Sequence, residues 1–154
     1  MDPTQGVTRR IVGGVDTHKD LHVAAVVDER DIVIGTRSFA TTRQGYRQML
    51  AWMRTFGDLE RVGVESTGSY GAGLLRFLSK AGVEVLEVTT PDKADRRRRG
   101  KNDDLDAQNA AHAAFSRKRT VTPRSRDGMV KSLRVLKACR KTAVAARRVA
   151  LQMI

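Results

Sequence analysis

The order and spacing of the apolar segments constrain the fold of this chain more than any other feature. Three short segments rich in β-branched residues, at 10–15, 21–27 and 32–39, follow one another closely. The residues that separate them, 16–20 and 28–31, are polar or charged. This pattern predicts an antiparallel meander of three strands.

Helical and strand patterns alternate in the rest of the chain. Apolar side chains recur at three- and four-residue steps in two stretches, closed by Gly57 and Gly82, which predicts two helices. The other predicted elements are, in chain order, strands at 62–65 and 83–88, an alanine-rich helix from about Asp103 to Arg117, and a long basic helix from about Ser125 to the end.

This element order is typical of the RNase H-like α/β fold. There, a five-stranded mixed sheet combines an antiparallel meander with parallel strands and is flanked by helices. A flavodoxin-like or Rossmann sheet would alternate strands and helices from its first strand, and the opening meander argues against it. We therefore predict an RNase H-like five-stranded mixed sheet, followed by a long basic C-terminal helix.

The net charge of +12 is distributed unevenly along the chain. Residues 1–116 carry 17 basic and 16 acidic side chains, whereas residues 117–154 carry 12 basic side chains and one acid, a net charge of +11. Such density commonly neutralises phosphates, although a solvated surface is the alternative. We predict nucleic-acid contacts in this segment and in a shorter basic run, through Arg96, Arg97, Arg98, Arg99, Lys101, Arg117, Lys118, Arg119, Arg124, Arg126, Lys131 and Arg134.

Composition excludes several other classes of protein. A single cysteine, Cys139, cannot form an internal disulfide or a cysteine-based zinc site, and it predicts a reducing cytoplasm. No uninterrupted apolar stretch approaches the roughly 18 residues that span a bilayer, and the polar start lacks the apolar core of a signal peptide. We therefore predict a protein without a membrane partner.

Four carboxylates are positioned to share one site. Asp16 follows the first predicted strand, and Glu65 closes the strand at 62–65. If these strands are parallel neighbours, both side chains emerge at the same edge of the sheet, where open α/β sheets bind ligands. Asp103 and Asp106 lie three residues apart and so on one helix face. Clustered carboxylates select Mg²⁺ or Mn²⁺, and such ions catalyse phosphodiester chemistry.

Most of these acids could instead have a purely structural role. Asp16 and Asp20 suit a β-turn, and Asp103 or Asp104 suits the N-cap of a helix. Glu65 closes an apolar strand and has no comparable turn or capping role.

The histidines are weaker candidates than the acids. His18, His22 and His112 lack the spacing of a metal-binding triad. We expect them at surface or partly buried polar positions rather than as metal ligands.

Three motifs together resemble one protein family. They are GVDTHK at 14–19, VESTGSY at 64–70 and KNDDLDA at 101–107. In this order and at these separations they resemble the N-terminal DEDD domain of insertion-sequence transposases related to the pilin-gene invertase, the bridge-RNA-guided recombinases. The resemblance covers about residues 9–154. It implies a RuvC-like domain that binds Mg²⁺ for DNA strand cleavage and exchange through Asp16, Glu65, Asp103 and Asp106.

The resemblance also implies a domain organisation and a set of partners. Residues 9–121 would form the DEDD catalytic domain, and 122–154 a basic helical linker at the start of a coiled-coil segment. Family members continue into a C-terminal domain with a nucleophilic serine, which this sequence lacks, so the chain would be the half that holds the catalytic acids. The implied partners are DNA, a structured guide RNA and further copies of the chain, in the cytoplasm of a bacterium.

Two other functions fit the same residues. A nuclease similar to Holliday-junction resolvases would use the same four acids. A non-enzymatic nucleic-acid-binding module would use the basic residues alone, with the acids in turns and caps. The leading hypothesis is a metal-dependent DNA transposase or recombinase domain.

Overall fold

The computed structural model describes residues 8–89, 102–123 and 129–153. The chain forms two compact units, residues 1–123 and 124–154. Among the described residues, the first contains the sheet and three helices, and the second contains one long helix. Each unit is considered by itself.

The first unit is built on a six-stranded mixed sheet. Strands β1, β4 and β5 are parallel to one another, while β2 and β3 continue from β1 as the predicted antiparallel meander. The predicted five strands are joined by a sixth, β6, which pairs antiparallel with β5. The sheet order is β3-β2-β1-β4-β5-β6. The strands are β1 Arg10–Thr17, β2 Leu21–Val27, β3 Val33–Ala40, β4 Asp58–Glu65, β5 Glu84–Val88 and β6 Thr120–Val121.

The helices lie close to where the periodicity predicts them. Their bounds are α1 Arg43–Arg54, α2 Ala72–Lys80, α3 Asp103–Ser116 and α4 Met129–Gln152. Thr42 caps α1, and its side chain accepts a hydrogen bond from the Gly45 amide at 3.0 Å. Asn102 caps α3 through a bond from the Asp104 amide at 3.1 Å. The alternative in which Asp103 or Asp104 is the N-cap is therefore wrong.

One face of the sheet packs against α1 and α2 through large side chains. Met49 and Met53 of α1 and Leu74 and Leu78 of α2 are buried among the strand valines. Burial of each such side chain stabilises the fold by roughly 1.5–3 kcal/mol. This face therefore holds the larger part of the hydrophobic core.

The other face packs against α3 through very small side chains. Gly14 of β1 and Gly63 of β4 are paired in register directly beneath the helix. A Cβ added to Gly14 would lie 2.1 Å from the Ala111 amide nitrogen, and one added to Gly63 would lie 2.5 Å from the Ala110 carbonyl oxygen. Only glycine permits this approach of helix backbone to sheet, which fixes α3 over β1 and β4.

The described part of the second unit contains α4, a helix of 24 residues. Its described side chains, from residue 132 onward, are all exposed, including the apolar Leu133, Leu136 and Val144. Among the described helices, none is both long and apolar enough to cross a membrane.

Candidate active site

Asp16 and Glu65 lie side by side at the carboxyl edge of the parallel strands. Val15 pairs with Val64, and the two acids are the next residues on β1 and β4. Because side chains alternate along a strand, both acids share the face of Gly14 and Gly63, beneath α3. Only 4% of Asp16 and 8% of Glu65 is exposed. The predicted parallel neighbours and shared edge are thus present.

The local backbone explains why Asp16 reaches this edge. β1 extends to Thr17, and Asp16 pairs with Val23 of β2 inside the sheet. The Thr17 hydroxyl donates to the Glu65 carbonyl oxygen at 2.8 Å and ties the ends of the two strands together. Asp16 is therefore a strand residue, and the alternative that places it in a β-turn is wrong.

The first turn of α3 brings two further acids to this edge. Asp103 and Asp106 are half-buried and belong to the stripe of α3 that contains Ala107, Ala110 and Ala111. Because this stripe faces the sheet, the glycine pair also sets how closely these acids approach Asp16. Asp104 lies off the stripe and is exposed.

The electrostatics of Asp16 reflect this crowding. Burial raises the pKa of Asp16 above its ordinary value. His18 opposes the shift, while the negative charges of Glu65 and Asp106 raise the pKa further. Asp103 reaches the same site through His18, described next. The structure thus brings together all four acids singled out in the sequence.

His18 lies between Asp16 and Asp103, a position that its sequence spacing did not predict. Its Nε2 is 2.8 Å from Oδ2 of Asp16 and 3.4 Å from Oδ1 of Asp103. The sequence offered one local indication of this contact. His18 follows Asp16 by two residues, and in an extended backbone this spacing places both side chains on the same side. The contact with Asp103 depends on how α3 packs, and no local pattern contains that information.

The donor set at this edge fits a divalent cation. Asp16, His18 and Asp103 each offer one ligand atom, and these atoms lie within 4.8 Å of one another. Carboxylate oxygens suit Mg²⁺ and Mn²⁺, and imidazole is accepted by transition metals such as Mn²⁺. A cation would also offset the repulsion among the acids that disfavours ionisation of Asp16.

A groove of about 520 Å³ opens beside the cluster. Its lining includes His18 and Asp103 of the cluster together with Lys19, Leu21 and Tyr70. Tyr70 is 52% exposed and Leu21 51% exposed. The groove therefore combines a cationic side chain and an exposed aromatic ring next to the acids.

The other two histidines have different surroundings. His112 is partly exposed, and its Nδ1 lies 2.7 Å from Oδ1 of Asp31. His22 is completely buried rather than partly buried, and its Nδ1 accepts a hydrogen bond from the His18 amide at 3.2 Å. Burial lowers the pKa of His22. Neither histidine belongs to the donor set described above.

The structure describes only some of the predicted nucleic-acid-binding residues. Arg117 forms a bidentate ion pair with Glu84, with both nitrogen–oxygen distances at 3.0 Å. Lys118 and Arg119 are exposed beyond α3, and Arg134 is exposed on α4, the helix that also contains Lys131. The remaining predicted residues lie outside the described part of the chain: Arg96, Arg97, Arg98, Arg99, Lys101, Arg124 and Arg126.

Comparison with solved structures identifies the fold. The chain is similar to RuvC of Thermus thermophilus in complex with a Holliday junction substrate, with a TM-score of 0.50 and 14% identity over 73% of this chain and 99% of that chain. A second Thermus thermophilus RuvC structure gives a TM-score of 0.48 and 15% identity over 72% and 99% of the two chains. Pelota of Archaeoglobus fulgidus gives a TM-score of 0.37 and 13% identity over 70% of this chain and 34% of that chain.

Comparison of the sequence identifies the family. No curated protein matches the chain at a significant level. The family model for DEDD transposases of the IS110 type, described as "Transposase", matches residues 13–154, which includes every residue of the acid cluster. The chain has a RuvC-like fold and belongs to the IS110-type DEDD transposase family.

Proposed function

We propose that this chain is the acid-bearing catalytic domain of a DNA transposase or recombinase that cleaves and exchanges strands with the aid of Mg²⁺ or Mn²⁺. One observation carries the proposal, namely the convergence of buried Asp16 and Glu65 with the first-turn acids of α3 at one edge of the sheet. Buried acids that repel one another are costly to a fold, so a function that needs them is the most direct reason for their presence.

The cations would be held by Asp16, Glu65, Asp103 and Asp106. When bound, such ions activate the attacking oxygen and stabilise the leaving oxygen of a phosphodiester. The chain's own contribution is positioning: the pairing of β1 with β4 aligns Asp16 with Glu65, and the glycine pair holds α3 close enough for its acids to reach them.

DNA is the proposed substrate, and the groove supports this assignment. Lys19 can neutralise a backbone phosphate, and Tyr70 offers an exposed ring on which a base can stack. Both lie in the groove that leads to the acids. The solved RuvC to which this chain is similar is itself bound to a Holliday junction substrate.

We also propose the organisation that the family resemblance implies. Residues 9–121 act as the catalytic domain and 122–154 as a basic linker that contacts a structured guide RNA and further copies of the chain, in a cytoplasmic enzyme completed by a separate C-terminal domain. The exposed side chains of α4 and the +11 charge of residues 117–154 support a role in binding polyanions.

Cleavage of DNA in the presence of Mg²⁺ by the full-length enzyme, the chain joined to the C-terminal domain that the family resemblance implies, tests the proposal. Linear and branched DNA are incubated with the wild type, with Glu65→Gln, and with Glu87→Gln as the matched control. Glu87 pairs with Val64 and so lies on the opposite face of the sheet from Glu65. We expect metal-dependent cleavage that falls at least about 100-fold in Glu65→Gln and persists in Glu87→Gln.

Each other outcome has a definite meaning. Sustained cleavage of branched DNA by the chain without the C-terminal domain would favour the resolvase-like nuclease over the transposase. DNA binding without cleavage, unaffected by Glu65→Gln and by removal of Mg²⁺, would favour a non-enzymatic binding module. Equal cleavage by both variants would exclude the acid cluster as the active site.

A further inference from the structure

We propose that His18 is itself a ligand of the divalent cation, so that the site contains one imidazole nitrogen beside its carboxylate oxygens. The inference rests on the proposed function and refines it, because it names a ligand outside the four acids. It also predicts which cation the site prefers.

The position of Nε2 supports direct ligation. This one atom lies 2.8 Å from Oδ2 of Asp16 and 3.4 Å from Oδ1 of Asp103. Adjacent ligands of an octahedral ion with bonds of about 2.1 Å are separated by about 3.0 Å, between the two observed distances. A ring nitrogen can hold a single proton, and a cation bound by both carboxylates would occupy the place of that proton.

The backbone holds His18 in this position before any cation arrives. The His18 amide donates to Nδ1 of His22, which is completely buried beside the ring of Tyr46. The Thr41 hydroxyl donates to the His18 carbonyl oxygen at 3.0 Å. Both polar groups of the His18 backbone are therefore fixed, which lowers the entropic cost of presenting its ring to a cation.

The pair formed by His112 and Asp31 shows what an ordinary histidine–aspartate contact looks like in this protein. His112 contacts one carboxylate, at 2.7 Å, and both side chains are more than a third exposed. His18 instead points one nitrogen at two carboxylates, of which Asp16 is buried. The His112 pair therefore provides a matched internal control.

A nitrogen ligand changes the preference among cations. Mg²⁺ strongly favours oxygen ligands, whereas Mn²⁺ and later transition metals also accept imidazole. We expect the chain to bind Mn²⁺ more tightly than Mg²⁺, and His18→Gln to reduce this difference. Loss of the ligand should weaken Mn²⁺ binding by about tenfold or more, with a smaller change for Mg²⁺.

Pulsed electron paramagnetic resonance of Mn²⁺ bound to the full chain tests the inference directly. A directly coordinated imidazole produces a ¹⁴N coupling on Mn²⁺, which changes when the histidines are labelled with ¹⁵N. We expect this coupling in the wild type and in His112→Gln, and its loss in His18→Gln. Calorimetric titration with MnCl₂ and MgCl₂ supplies the affinities, and circular dichroism checks that each variant is folded.

The possible failures are distinguishable. Mn²⁺ that binds to the wild type without a nitrogen coupling overturns His18 as a ligand and leaves the proposed function standing. A coupling that persists in folded His18→Gln assigns the nitrogen to another residue and also overturns the inference. Absence of Mn²⁺ binding contradicts both the ligand and the proposed function. If His18→Gln does not fold, His18→Asn replaces it in the same comparison, with the same expected loss of the coupling.

Discussion

The two faces of the sheet are packed in opposite ways. The face toward α1 and α2 is filled by large side chains such as Met49, Met53 and Leu74, whereas the face toward α3 is built from Gly14, Gly63 and a stripe of alanines. The acids of the candidate site lie only on the second face. Large apolar contacts stabilise the domain, and small ones position a helix whose first turn holds two of the acids proposed to bind the metal.

This difference predicts different responses to substitution. On the α1 and α2 face, a smaller side chain leaves a cavity and costs stability without moving the acids. On the α3 face, an added methyl group meets backbone atoms that cannot rotate away. The following experiments test that contrast, from the largest expected effect to the smallest.

Leu74→Ala should cause the largest loss of stability. Leu74 is completely buried in α2, and its truncation is expected to lower the free energy of unfolding by about 2–5 kcal/mol. Because α3 is untouched, the folded fraction should bind Mn²⁺ with unchanged affinity. Chemical denaturation and calorimetry measure the two quantities. A loss of metal affinity in the folded protein would show that the faces are not independent.

Gly14→Ala should cause a smaller loss of stability and a larger loss of function. The added Cβ would lie 2.1 Å from the Ala111 nitrogen and 2.4 Å from the Ala107 carbonyl oxygen, so α3 must move outward. We expect destabilisation of about 1–3 kcal/mol together with the loss of Mn²⁺ binding.

Gly13→Ala is the matched control for this substitution. It lies one residue away on the opposite face, where a Cβ would first meet the sulfur of Met53 at 2.9 Å. The flexible Met53 side chain can shift, so metal binding should persist in Gly13→Ala. Equal loss of binding in the two variants would refute the positioning role of the glycine pair.

Asp16→Asn should stabilise the metal-free domain while removing its function. Burial and the neighbouring acids raise the pKa of Asp16, so its charged form is disfavoured in the folded state. Removal of the charge is expected to add roughly 0.5–2 kcal/mol of stability. Thermal melts should show Mn²⁺ raising the Tm of the wild type but not of Asp16→Asn. A destabilised variant, or one still stabilised by Mn²⁺, would contradict this account.

The pH dependence of stability should separate two buried aspartates. Hydrogen bonds from the Ile32 and Arg30 amides lower the pKa of Asp28 in the folded protein. The charged side chain therefore stabilises the fold above its pKa in the unfolded chain, about 3.9, and this stabilisation is lost as the pH falls through the folded pKa. The pKa of Asp16 is raised, so ionisation of this side chain destabilises the fold, and the loss of stability grows as the pH rises through the folded pKa.

Single variants assign the two effects. Asp28→Asn should flatten the loss of stability at acid pH, and Asp16→Asn should flatten the decline at higher pH. Denaturant midpoints measured from pH 3 to 8 without metal check both. A profile of Asp16→Asn that parallels the wild type would show that the acid cluster does not strain the fold.

The sequence predicted most of the elements because their signals are local. The spacing of the first three apolar segments indicated the meander, and Asp16 and Glu65 could be assigned to one edge because each ends an apolar run. Asp103 and Asp106 could be placed on one face by helical periodicity alone. The family resemblance, carried by three short motifs, is confirmed by the match over residues 13–154.

The remaining features depend on contacts between distant segments. Strand β6 contains only Thr120 and Val121, too few residues for any periodicity to register. The role of Gly14 depends on which helix lies above it, and the role of His18 depends on the position of Asp103. The roles of Gly14 and His18 arise from the packing of α3, which no single segment encodes.

Calorimetric titration of Mn²⁺ into Asp106→Asn and Asp104→Asn tests the central claim most directly, that strand acids and α3 acids form one metal site. The two residues share the first turn of α3, but Asp106 lies on the stripe that faces the sheet and Asp104 is exposed. We predict that Asp106→Asn weakens binding about tenfold or more and that Asp104→Asn leaves it unchanged. Equal affinity in the two variants would contradict the claim.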